Sequence, residues 1–292
     1  MQGGAAVKLT DISVIRDILS KHGFSFSKSL GQNFLINPSV CPRMADACHP
    51  DLEDGTFAVL EIGPGVGVLT RELSRVAARV ISVELDDRLL PVLEETLADC
   101  ENVTVVHGDI LKLDIAAILA QHAAGLPVVV CANLPYYITS PILMGLLESR
   151  LPFHCITVLV QKEAAQRLCA RPGTRECGAV TLAVQYYAEA EILFGVSRGS
   201  FMPAPNVDSS VIRLPLRDAP PCQVSNEALL FRLIRAAFGQ RRKTLPNSLC
   251  AAGYDKVTIL QALETAGLSP TARAEELSME QFAALAEILN KV

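Results

Sequence analysis

Short apolar runs alternate with stretches of helical periodicity through much of the chain. Phe57-Ala58-Val59-Leu60, Val80-Ile81-Ser82-Val83, Val103-Thr104-Val105-Val106, Val128-Val129-Val130-Cys131 and Ile156-Thr157-Val158-Leu159-Val160 are brief and rich in β-branched residues. Strands covered on both faces read as continuous apolar runs, and parallel neighbours need a crossover helix between them. The alternation predicts an α/β fold built on a doubly wound sheet. Beyond Gly178, the runs 190–194 and 209–214 flank a loop holding Pro203 and Pro205, which predicts an antiparallel pair closing the sheet. Upstream, Ile12, Ile15, Ile18 and Leu19 recur at helical spacing and Gly23 can stop the helix. Past the linker Asp218 to Cys222 every pattern is helical: one helix runs from about Ser225 to Gly239, and Ser278 with Gln281 forms a capping box for the last.

Length fits this picture, since 292 residues suit one large domain with a small appendage. The expected division is a catalytic domain over residues 1–217, with an N-terminal helical extension, and a helical domain over residues 218–292. Half the residues are apolar and 20% are charged, a profile that excludes a disordered protein. The nine cysteines form no CxxC pair and are odd in number, so a disulfide framework and a zinc site are both disfavoured. No metal is expected. There is no apolar run of about eighteen residues, and Asp11 interrupts the place of a leader's apolar stretch, so a cytoplasmic protein without membrane contact is expected.

The chemistry concentrates where the strands end. Glu61-Ile62-Gly63-Pro64-Gly65-Val66-Gly67 follows the first strand, where glycines let the backbone approach a ligand. This is GxGxG rather than the GxGxxG of nicotinamide enzymes, and it resembles motif I of S-adenosylmethionine-dependent methyltransferases; a tight turn in any α/β protein could also use such glycines. Glu84, with Leu85 beside it, ends the second strand about twenty residues after the first glycine, the position of a ribose-binding acid. Asp109, followed by Ile110, ends the third and suits an adenine amino group, although a helix N-cap would use the same residue.

After the fourth strand comes Asn133-Leu134-Pro135-Tyr136. An exocyclic amine is a poor nucleophile because its lone pair is delocalised into the ring. The Asn133 amide oxygen and the Pro135 carbonyl can accept its two hydrogens, and Tyr136 can stack on the base, an arrangement prepared for the transition state. A base must leave its stack to reach such a pocket, so a second aromatic face is expected, and Phe201 in its proline-bounded loop is the candidate.

A net charge of −5 and a pI near 5.6 argue against a nucleic-acid ligand unless positive charge is localised. It is localised: Arg232, Arg235, Arg241, Arg242 and Lys243 lie between Ala228 and Cys250 without an acid. Weaker clusters are Lys162, Arg167, Arg171 and Arg175, and Lys21 with Lys28. The RNA-contact candidates are Lys28, Arg235, Arg241, Arg242 and Lys243.

Taken together, Gly31 to Leu35, Glu61 to Gly65, Asn133 to Tyr136, Gln161-Lys162-Glu163, Phe201 to Ser209, Gln240 to Thr244 and Asn247-Ser248-Leu249 resemble the KsgA-type ribosomal RNA adenine dimethyltransferases. The resemblance implies a Rossmann-like domain with a small helical C-terminal domain. It further implies S-adenosylmethionine as cofactor and two adjacent adenines of the 3′ hairpin of 16S ribosomal RNA, within the 30S subunit or its precursor, as substrate; a monomer is the default. By it, Gln32, Asn33 and Leu35 would meet the cofactor, Gly63 the methionine end, Glu84 the ribose, Asp109 the adenine, and Asn133 both cofactor and target, while Glu61, Gly65 and Gly67 belong to the same cofactor-binding motif. Two rivals remain on the same fold: an antibiotic-resistance enzyme acting on large-subunit RNA, whose usual Asn-Ile-Pro-Tyr differs at Leu134, and a non-catalytic assembly or transcription factor.

Overall fold

The computed structural model describes residues 8–26, 31–240 and 242–291. The chain divides into two compact units, Met1–Ala165 with Glu191–Leu216, and Gln166–Ala190 with Arg217–Val292. The split differs from the expected boundary at 217/218 because 166–190 groups with the C-terminal helices. Tyr187 of that segment stacks on Phe231 at 5.8 Å, and Tyr186 meets the same ring edge-on at 5.1 Å. Rings this size bury enough apolar area to decide which unit a segment joins.

In the first unit, β2 (Ala58–Ile62), β3 (Arg79–Glu84), β4 (Val103–His107), β5 (Val128–Asn133) and β6 (Phe153–Gln161) follow the short ribbon strand β1 (Phe34–Leu35). β7 (Glu191–Val196), β8 (Phe201–Met202) and β9 (Ser209–Pro215) complete the set. The main sheet has the order β4-β3-β2-β5-β6-β9-β7, with the first five strands parallel and β9 antiparallel to both β6 and β7. The expected closing pair is therefore present. All five residues of β2 are buried, as a central strand covered on both faces requires.

The crossovers are α3 (Val68–Val76), α4 (Leu90–Thr96), α5 (Ile115–His122) and α6 (Thr139–Glu148), preceded by α1 (Ile12–Lys21) and α2 (Val40–Ala47). α1 turns Ile15, Ile18 and Leu19 inward and is capped by Asp11. Its far end is tied by Lys21 and His22, each 2.7 Å from the Glu95 carboxylate. The chain moves outward from β2 through β3 to β4 and then returns to β5, so the order reverses between β2 and β5. Ligands of such sheets bind at that reversal, beyond the carboxyl ends of the strands.

α7 (Lys162–Leu168) follows β6, and the second unit holds α8 (Ala179–Tyr187), α9 (Glu227–Phe238), α10 (Leu245–Ala251), α11 (Lys256–Thr265) and α12 (Met279–Leu289) around Leu230, Leu233, Leu263 and Phe282. The Ser278–Gln281 capping box forms, with Gln281 N–H donating to Ser278 Oγ and Ser278 N–H to the Gln281 amide oxygen. No described helix is long and apolar enough to cross a membrane. Ser278→Ala is expected to lower stability by about 1 kcal/mol, and Leu60→Ala, which empties a fully buried site in the central strand, by about 2–5 kcal/mol; urea denaturation reads both, and equal losses would contradict this view of the core.

Candidate active site

A concavity open to solvent lies beyond the carboxyl ends of β2, β3, β4 and β5, wholly within the first unit. Its floor is the turn Ile62-Gly63-Pro64-Gly65 after β2, and its sides are Glu84 and Leu85 after β3, Gly108 to Ile110 after β4, and Asn133 to Ile138 after β5. The segment Gly31 to Leu35 forms the remaining wall.

Local sequence explains each placement. At Gly65 the backbone has φ +61°, and an added Cβ would stand 3.0 Å from the Phe34 ring, so a larger residue would strain the turn and crowd that aromatic wall. Gly67 instead begins α3 and packs against Leu97; it does not line the pocket. Glu84 is buried and its carboxylate accepts from Asp86 N–H at 2.8 Å and Gly65 N–H at 3.4 Å. Burial pushes its carboxyl pKa up, and those backbone donors oppose the rise. Asp109 accepts from Leu111 N–H at 3.0 Å and lies 3.2 Å from Lys112 Nζ. It therefore caps a turn, while the next helix is capped by Asp114.

Glu61 is only 1% exposed and accepts a 2.6 Å hydrogen bond from Ser82 Oγ on the neighbouring strand. Burial raises its carboxyl pKa to about 7, against the lowering effect of Ser82. Gln32 donates to Asp86 at 2.8 Å, and Asp86 also grips the Arg88 guanidinium, whose carbon sits 5.1 Å from the centre of the Phe24 ring. Phe24, Phe26 and Phe34 pack together with centroids 5.2–6.2 Å apart, so the N-terminal segment reaches the pocket through an aromatic cluster.

Asn133 ends β5 and donates through Nδ2 to the Asn33 carbonyl at 3.1 Å. Tyr136 is half-buried, with its hydroxyl 2.6 Å from Ser209 Oγ at the start of β9. Two expectations are corrected here. The Pro135 carbonyl already accepts from Ile138 N–H and Thr139 Oγ1, both at 3.2 Å. A carbonyl has two lone pairs and both are engaged, so it is not the acceptor for an amine hydrogen. Phe201 is 3% exposed and lies in β8, opposite Leu35 of β1, so its ring fills the core instead of standing as a platform.

The structure thus gathers Gln32, Asn33, Leu35, Glu61, Gly63, Gly65, Glu84, Leu85, Asp109, Ile110 and Asn133 to Tyr136 around one pocket, and leaves Gly67 and Phe201 outside it. Arg235, Arg242 and Lys243 are exposed on the second unit and enter no ion pair among the described residues. Lys28 and Arg241 lie outside the described residues. The sequence reading missed Phe34, Tyr137 and Asp86; the only trace of Asp86 was its place two residues after a strand-end acid.

Strand order and pocket together define a Rossmann-like methyltransferase fold. A solved dimethyladenosine transferase from Plasmodium falciparum superposes with a TM-score of 0.74 at 26% identity, over 88% of this chain and 98% of that one. The 23S rRNA methyltransferase ErmE superposes at 0.66 with 29% identity, over 88% and 100%. The model of the ribosomal RNA adenine dimethylase family matches residues 23–291, and the chain belongs to that family. Relatives named ribosomal RNA small subunit methyltransferase A include one from Lysinibacillus sphaericus, 49% identical over 95% of both chains, and one from Geobacillus thermodenitrificans, 47% identical over 94% of both.

A raised acid pKa contributes stability below the ordinary value of 4.5 that is lost as pH climbs through about 7. Glu61→Gln keeps an acceptor for Ser82 and removes that loss. Its stability relative to the parent is expected to rise between pH 5 and pH 8 by on the order of 2–3 kcal/mol, read from denaturation at both values; a pH-independent difference would mean that Glu61 does not titrate there.

Proposed function

We propose that the chain transfers methyl groups from S-adenosylmethionine to N6 of two adjacent adenosines in the 3′-terminal hairpin of 16S rRNA, acting as a cytoplasmic monomer on the 30S subunit or its precursor. The observation that carries this reading is the convergence of the Gly63 turn, the Glu84 carboxylate and the Asn133–Tyr136 turn on a single pocket. The residues present suit the cofactor. Nothing lies within 4 Å of where a Gly63 side chain would begin, which leaves the backbone open to a methionine group. Glu84 offers a buried carboxylate for ribose hydroxyls, with Leu85 and Ile110 as apolar walls for an adenine ring and Asp109 at its edge.

When bound, the cofactor supplies a methyl group already activated for transfer. The protein supplies placement. The Asn133 amide oxygen accepts one amine hydrogen, and with Pro135 engaged elsewhere, the second acceptor is assigned to the Leu134 carbonyl in the same turn. Tyr136, fixed through Ser209, presents a ring for stacking. No side chain need remove a proton in the methyl-transfer step, since the amine can lose it afterwards. Arg235, Arg242 and Lys243, with Lys28 and Arg241, would meet phosphates, so an acidic protein retains a local basic footprint.

Small-subunit substrate is favoured over the large-subunit alternative because relatives bearing the small-subunit name match nearly the whole chain at 47–49% identity. The test is transfer of labelled methyl to unmodified 30S particles and, in parallel, to large-subunit RNA. Dimethyladenosine in the 16S hairpin is expected; label confined to large-subunit RNA would overturn the proposal. Asn133→Ala is expected to reduce turnover by at least about a hundredfold, with RNA affinity measured by filter binding changed by less than about threefold, a small effect by comparison.

A further inference from the structure

We infer that the turn Gly31-Gln32-Asn33 is a positioning element for Asn133, and that Tyr137 holds this turn in place; the inference rests on the adenine-methylating role just proposed. An asparagine amide can present either its oxygen or its NH2 group to a ligand, and only the oxygen can accept a hydrogen from an amine. Asn133 Nδ2 donates to the Asn33 main-chain carbonyl at 3.1 Å, and among the described residues nothing donates to Asn133 Oδ1. The Asn33 carbonyl therefore fixes which end of the amide remains for the pocket.

That carbonyl belongs to a turn held at several points. The Asn33 side chain closes the turn on itself, donating to the Gly31 carbonyl at 2.9 Å. Gln32 anchors its middle to Asp86, which is buried and paired with Arg88. Tyr137, 54% exposed, covers the turn's start: a Cβ on Gly31 would stand 3.2 Å from Tyr137 Cδ1, and Gly31 has φ +59°. Tyr137 follows Tyr136 in the turn that carries Asn133, so one loop provides both the acceptor and the ring that packs on the acceptor's support. A side chain so exposed gains little from burial, and its close approach to the Gly31 backbone gives it this other use. Small displacements of a positioned group are costly to rate without a matching cost in binding.

The experiment compares Tyr137→Phe and Tyr137→Ala with the parent, measuring kcat and KM on 30S particles, S-adenosylmethionine affinity by calorimetry, and amide hydrogen exchange over residues 31–35 in the cofactor-bound protein. Tyr137→Phe keeps the ring and is expected to behave as the parent. Tyr137→Ala is expected to lower kcat by about tenfold with KM for RNA nearly unchanged, and to speed exchange over 31–35. Gly31→Ala should lower kcat as well, and adding it to Tyr137→Ala should cost less than the product of the two separate losses, because both act on one turn. A rise in KM for RNA with exchange unaltered would show that the ring touches substrate and would overturn the inference, as would multiplicative losses. Absence of methyl transfer by the parent would instead refute the function proposed above, while exchange over 31–35 would still report on the turn.

Discussion

The structure depends on one geometric constraint: five parallel strands must all end on the same edge of the sheet. Parallel pairing in register, Ile62 opposite Val83 and Glu84 opposite His107, sets the ends of β2, β3 and β4 side by side, and Asn133 finishes β5 across the reversal. Acids and amides distant in sequence thereby become neighbours without any need to attract one another. The cost of keeping Glu61 and Glu84 in a buried place is met by strand geometry, since Ser82 and the backbone N–H groups of Asp86 and Gly65 are supplied by adjoining elements of the same framework.

A second layer of organisation comes from outside the sheet. The N-terminal segment pairs with β8 and hydrogen-bonds to Ser200 through Ile36, while Tyr136 reaches Ser209 at the other end of the same proline-rich loop. The loop that looked like an exposed platform for Phe201 is thus a brace. It fastens the pocket's outer wall through β1 and the turn Asn133 to Tyr136 through Ser209. This explains why an aromatic residue in that loop is buried: the backbone pairing that fixes β1 turns Phe201 toward the core beneath it.

Charge follows a similar division of labour. The first unit carries the acids Glu84 and Asp109 beside its pocket, and several of its cations are already paired, as Lys21 is with Glu95 and Arg71 is with Asp99. On the second unit Arg235, Arg242 and Lys243 stand exposed. A net charge of −5 therefore describes neither surface by itself, and placement decides what a polyanion meets.

The sequence by itself determined the elements and most of the pocket. β-branched runs, the Gly63-Pro64-Gly65 turn and the strand-end residues Glu84, Asp109 and Asn133 are local signals, because strand burial, turn geometry and strand termini are set by a few neighbouring residues. Only tertiary structure decided what required two distant segments to meet. That Phe201 is buried, that segment 166–190 joins the C-terminal helices, and that Asn133 is held by Asn33 all depend on packing between residues far apart in the chain. Hydrogen-bond capacity and burial are properties of the assembled neighbourhood, and periodicity along a sequence carries no record of which partner a carbonyl or a ring will find.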